Sequence, residues 1–140
     1  MMVREERGSA ALEVAIGAPV MLLLVVLVVA GGRVALARQT VTAAADSAAR
    51  AASISRTAPA ATSLARNTAR SILAAQQVDC RPLDVSVDAR AFASAPGTPG
   101  NVQATVTCHL DLTSLGLPGL GSLTITETGT SPLDTFRGRR

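Results

Sequence analysis

The sequence predicts an α+β protein, built from one long N-terminal helix, a shorter second helix and a small three-stranded antiparallel sheet. Three observations predict it. No side chain from Val14 to Ala30 is charged. Small apolar residues recur at helical spacing from Val34 to Ala52. Beyond Leu83 the apolar period shortens to two, the period of a half-buried strand.

The charge-free run sets the organisation. A helix rises about 1.5 Å per residue, so a bilayer core of about 30 Å takes roughly 20 apolar residues. Leu12 to Gly31 supplies that length, with Glu13 at its edge. In lipid every backbone polar group must bond internally, which requires a helix here. Pro19 offers no N–H and crowds the carbonyl of Ala15, so a kink is expected there, near Gly17. A charge in the middle of such a segment costs about 3 kcal/mol by insertion scales. Glu13 at the N-terminal end costs less, because the helix dipole favours a carboxylate there.

The expected organisation is a leader over 1–8, an N-terminal helix over 9–56 with a transmembrane segment at about 12–32, and an exported α+β domain over 57–140. Within the helix, Val34, Ala37, Val41, Ala44, Ala45, Ala48 and Ala52 form one stripe, while Arg38, Thr42, Asp46, Arg50 and Ser53 face away. A stripe of alanines permits close approach of a partner element, either the chain's own domain or a neighbouring helix. Pro59 separates this helix from a second, over Ala60 to Gln77, with Leu64, Ala65, Ala69, Ile72, Leu73 and Gln76 on one side. Arg66 and Arg70 face solvent.

Strand signals follow. Leu83, Val85, Val87, Ala89 and Ala91 alternate with Asp84, Ser86, Asp88 and Arg90. After a loop from Ser94 to Asn101, Val102, Ala104, Val106, Cys108, Leu110 and Leu112 alternate with polar residues, His109 among them. The two strands are expected to form an antiparallel hairpin. A loop over Ser114 to Gly121, with Leu115, Leu117 and Leu120, leads to a third strand over Leu123 to Thr128. Ser131 to Arg140 reads as a tail.

Composition narrows the function. The chain has 140 residues, two phenylalanines and no tryptophan or tyrosine, so its core must be built from alanine, valine and leucine. Such a core is thin and leans on a partner element or a covalent link. Cys80 and Cys108 would close a loop of about 28 residues, worth roughly 3 kcal/mol by chain entropy. An exported domain favours that disulfide, and two buried thiols are the alternative. All 13 basic residues are arginine, spread along the chain without interleaved aromatics, and the net charge is +3. That pattern points away from nucleic acid, and Arg137, Arg139 and Arg140 read as a solvated tail. A single histidine, no C-x-x-C and no phosphate-binding glycine loop give no catalytic set, no metal site and no cofactor, so no enzyme activity is expected.

The run itself has three readings. It is a plain membrane anchor, or a secretory signal cut after Ala35-Leu36-Ala37, or a signal of the pilin type, cut ahead of the apolar run. The third has specific residues behind it. Arg7-Gly8, then Ser9-Ala10-Ala11-Leu12-Glu13 and an apolar run, resemble a type IV prepilin signal, and more closely the TadE-type pseudopilins of the tight-adherence (Tad/Flp) pilus system. Arg33, Arg38 and Gln39 after the run also look like that family, while Val14 stands where processed members often carry an aromatic residue. The resemblance implies cleavage by a membrane aspartyl prepilin peptidase between Gly8 and Ser9, which makes Glu13 the fifth residue of the mature chain. Its carboxylate would then pair with the new α-amino group of Ser9, its own or a neighbour's, and a paired charge tolerates lipid better than a lone one.

The resemblance further implies a pilin-like plan and a minor pilin-like membrane component of a Tad/Flp pilus assembly or secretion apparatus. Its partners would be membrane lipid, the peptidase, other pilin-like subunits and Tad inner-membrane components. The alternative is a single-pass membrane-anchored protein with an exported domain and no pilus role. The short leader, the lack of a second apolar run and the two cysteines suggest a cytoplasmic N-terminus in the cytoplasmic membrane and an exported C-terminal domain, and the pilus reading would make it pilus-associated.

Overall fold

The computed structural model of the chain describes residues 6–95, 97–119 and 121–133, with side chains from Leu12 onward. The expected leader is thus described only from Glu6, and Leu120, Phe136 and the arginines of the tail lie outside the described residues. The architecture is α+β. Helix α1 spans Glu6–Ser53 and helix α2 spans Ala58–Ala75. Strands β1 (Cys80–Asp88), β2 (Asn101–Asp111) and β3 (Ser122–Pro132) form one antiparallel sheet in the order β1-β2-β3. The chain divides into two compact units, Met1–Ala35 and Leu36–Arg140.

The first unit is the apolar run. The helix continues through Pro19. From Leu12 to Val29 the large apolar side chains are 48% to 74% exposed.

The second unit holds the core, a layer of helix on one face of the sheet. Ala37, Val41, Ala44, Ala45, Ala48, Ala49 and Ala52 of α1 are buried, so the alanine stripe is the packing face. From α2 come Ala61, Ala65, Ala69 and Leu73. The sheet contributes Val85, Val102, Ala104, Val106, Cys108, Leu110 and Ile125. In β2 every even-numbered residue from Val102 to Leu110 is buried, the alternation expected of a strand with one covered face.

Local chemistry sets the boundaries. The last turn of α1 is closed by hydroxyls: Ser53 Oγ donates to the Arg50 carbonyl at 2.8 Å and Ser55 Oγ to that of Ala51 at 3.3 Å. Pro59 does not divide the helices as expected but lies in the first turn of α2, where a missing N–H costs nothing. Thr57 caps that turn, its Oγ1 accepting from the Ala60 N–H at 3.4 Å. α2 stops at Ala75, short of the expected Gln77, because Gln77 adopts φ +56°. The Val78 N–H then reaches the Leu73 carbonyl at 2.9 Å and the Gln77 N–H that of Ala74 at 3.1 Å, the paired bonds of a left-handed helix end. The buried side of α2 runs through Ala61, whereas Leu64 and Gln76, expected inside, are exposed.

The strands shift too. β1 begins at Cys80, three residues earlier than the alternation suggested, with an irregular register between Cys80 and Leu83 that leaves Arg81 and Pro82 exposed. It ends at Asp88, since the Asp88 carboxylate accepts from the Arg90 N–H at 3.1 Å and turns the chain into a short 3-10 helix over Arg90–Ala93. At the far end Asp111 does the same for Thr113 at 2.9 Å, which starts a second 3-10 turn over Leu112–Leu115, so Leu112, expected in the strand, lies in that turn, which runs on into the expected loop. β3 runs on through Gly129 to Pro132, so residues read as tail belong to the sheet, and Leu133 joins the core.

Candidate functional site

The residues singled out in the sequence fall in two places, one in each unit. Gly8 and Ser9 lie in the first turn of α1, where backbone N–H groups have no partner within the helix. Glu13 follows about one turn later and is exposed. After it, the helix presents exposed apolar side chains such as Leu22, Leu23, Val26 and Leu27. It is long and apolar enough to cross a membrane, and none of its most apolar stretch is buried. Exposed apolar area is unfavourable in water by about 25 cal/mol per Å², so a surface of this kind requires lipid or other helices around it.

In the second unit Cys80 and Cys108 form a disulfide, with Cα atoms 4.9 Å apart. Their pairing is diagonal: Cys108 stands opposite Leu83, and Cys80 opposite Leu110. The irregular start of β1 allows it. Cys108 is fully buried, whereas Cys80 is half-buried and lines a cleft of about 540 Å³ with Arg70, Leu73, Val78 and Pro82. At its rim Arg81 Nε bonds Asp79 Oδ1 at 2.8 Å.

The outer face of the sheet is polar and ordered. Thr105 and Thr128 hydroxyls lie 2.9 Å apart, those of Thr107 and Thr126 3.3 Å, and His109 Nδ1 lies 2.9 Å from Thr124 Oγ1. His109 therefore serves a cross-strand hydrogen bond on the polar face, where its place in the alternation put it. Asp88 sits at one end of this face, and its hydrogen bonds with the Arg90 guanidinium, then with the Arg90 N–H, hold its carboxyl down at about 2. The Thr113 N–H likewise lowers the Asp111 carboxyl. Both arrangements shape turns. Among the described residues no group of three or more His, Cys, Asp or Glu side chains could hold a metal ion.

Sequence reasoning missed the contact between α1 and β3. A Cβ at Gly129 would collide with the Ala45 carbonyl group and the Asp46 nitrogen, so only glycine lets the helix backbone rest on the strand. Nearby, Ser131 Oγ donates to Ser53 Oγ at 3.1 Å in a buried pair, and Arg38 Nε approaches Glu127 Oε1 at 3.8 Å. Ser53 was expected to face away from the core. The available signal was threonine at every second position from Thr124 to Thr130, which carries the strand past Gly129.

Residues 8–50 match the family model of TadE-like proteins. No curated protein and no solved structure matches the chain. The match takes in Gly8, Ser9, Glu13, the apolar run and nearly all of the alanine stripe. Across that N-terminal stretch the chain is similar to TadE-like proteins.

Proposed function

We propose that this protein is a minor pilin-like component of a Tad/Flp pilus assembly or secretion apparatus, held in the cytoplasmic membrane by the first part of α1, with its α+β domain exported. The observation that carries the reading is the TadE-like match over the segment in which Gly8 and Glu13 precede a charge-free run. In this reading a prepilin peptidase cuts between Gly8 and Ser9. The carboxylate of Glu13 then meets an α-amino group, its own or that of a neighbouring pilin-like subunit, and directs assembly in a medium where an unpaired charge is costly. The disulfide fits an exported domain, since such bonds persist in oxidising compartments. The exported domain contributes surface and not catalysis.

Mass spectrometry of the protein recovered from membranes and from shed material reads the mature N-terminus. A chain starting at Ser9 supports processing. A start at Met1 or Met2 removes the peptidase step and favours a plain anchor, and a start at Arg38 overturns the membrane reading. Separately, Glu13→Ala is expected to insert normally yet lose pilus assembly or partner binding. Pilus formation at the wild-type level in that variant would refute the role given to Glu13.

A further inference from the structure

We infer that the outer edge of β3 receives an extended segment of another polypeptide, which joins the sheet as a fourth strand beside Thr124, Thr126, Thr128 and Thr130. The inference stands independently of the pilus reading.

The hydrogen-bond parity of the sheet points there. The β2–β3 register is unbroken from Asn101↔Pro132 to Asp111↔Ser122. Beyond its ends, the Leu133 N–H donates to the Gly100 carbonyl at 2.8 Å and the Leu112 N–H to that of Gly121 at 3.0 Å. Hydrogen-bonded and non-hydrogen-bonded pairs alternate along an antiparallel ladder. Both closing bonds therefore assign the β2–β3 bonds to even-numbered residues of β2 and odd-numbered residues of β3. The N–H and C=O groups of Thr124, Thr126, Thr128 and Thr130 point the other way, out of the sheet. These four residues are exposed, and among the described residues no strand lies beyond β3.

The two edges of the sheet are unlike. The β1 edge has an irregular register at Arg81 and Pro82, and α2 packs beside it. Bulges, proline and covering helices are the usual ways to close an edge. β3 has no bulge, no lysine or arginine, and no proline before its last residue. Its one charge, Glu127, is half-buried beside Arg38.

Helix α1 decides what can dock. Its backbone rests on Gly129, and Ser53 meets Ser131, so α1 lies over β3 itself. Neighbouring strands are about 4.8 Å apart, whereas packed helices need about 8–10 Å. A second folded copy adding its own β3 in the antiparallel sense that the rest of this sheet follows would bring a second α1 within one strand spacing of the first. The occupant is therefore an extended segment that carries no helix. It needs small side chains beside Gly129 and favours a cation beside Glu127, since opposite charges on neighbouring strands attract.

The test is amide hydrogen exchange, followed by NMR on the full chain in detergent micelles. The probe is an end-capped seven-residue peptide that alternates threonine with alanine and carries a central arginine. In the free chain, the amides of Thr124, Thr126, Thr128 and Thr130 are expected to exchange at least tenfold faster than those of Ile125, Glu127 and Gly129. Millimolar peptide should slow the four at least tenfold. Thr126→Pro removes one outward donor without breaking a β2–β3 bond and should abolish the slowing, whereas Thr126→Val should keep it. Should the proline variant not fold, the same peptide with methylated backbone nitrogens replaces it, and it should not slow exchange. Four amides already protected in the free chain, or no slowing at millimolar peptide, overturns the inference. Protection that rises with protein concentration alone would make a second copy the occupant and overturn it as well.

Discussion

The two stretches of α1 invert the usual relation between side-chain size and burial. In the first unit leucines, valines and isoleucine from Leu12 to Val29 are 48% to 74% exposed. In the second, the alanines from Ala44 to Ala52 on the packing stripe are 0% exposed. Both stretches are helical and apolar on the inward or outward face that matters, so hydrophobicity alone does not separate them. Size does. Large side chains left exposed form a surface that suits lipid or other helices. Small ones mark a surface where another backbone comes close, and here that backbone is β3 at Gly129.

The largest effect should come from the covalent link that supports the alanine-lined core. Closing a loop of 28 residues is worth about 3.5 kcal/mol in the chain-entropy estimate. The paired Cys80→Ala and Cys108→Ala variant should lose roughly that much, read as the denaturation midpoint of the protein in detergent. A midpoint unchanged by the double variant would mean that the alanine core is stronger than its side-chain volumes suggest.

The exposed stretch is tested next. Leu24→Arg places a charge near the middle of the run and should weaken membrane insertion by about 3 kcal/mol, or about a hundredfold in partition. Leu24→Ala should remain in the membrane fraction. Equal membrane recovery of the arginine variant would break the contrast between the two stretches. The close contact is probed by Gly129→Ala. Its methyl group meets helix backbone and not a flexible side-chain tip, so about 2 kcal/mol should be lost as α1 and β3 separate. Here a stability measurement in which the variant matches wild type would show that α1 can shift at little cost.

The smallest effect belongs to Asp88. Its folded carboxyl titrates at about 2, below the ordinary 3.8. A depressed carboxyl contributes stability above the unfolded value and loses it as pH falls through the folded value. The contribution should fade between about pH 4 and pH 2, and Asp88→Asn should flatten thermal stability across that window. The group is exposed, so solvent screening keeps the change slight.

Local chemistry settled much of this protein from sequence. The alanine stripe and the alternation in β2 each report which face of an element is covered, and each was legible because a single period governs it, whereas the charge-free run was legible from its length. Gly8, Ser9 and Glu13 form a short motif that lies within the range of the family match. Tertiary structure decided the rest. The third strand expected from sequence stops at Thr128, and only the fold shows α1 resting on Gly129 just beyond it. Ser53 reads as an outward polar residue until Ser131 meets it. The diagonal Cys80–Cys108 link depends on the irregular start of β1, and the open edge of β3 on the parity of bonds to β2. These features join residues as many as 84 positions apart, as with Ala45 and Gly129, and no local period carries the distance between two backbones.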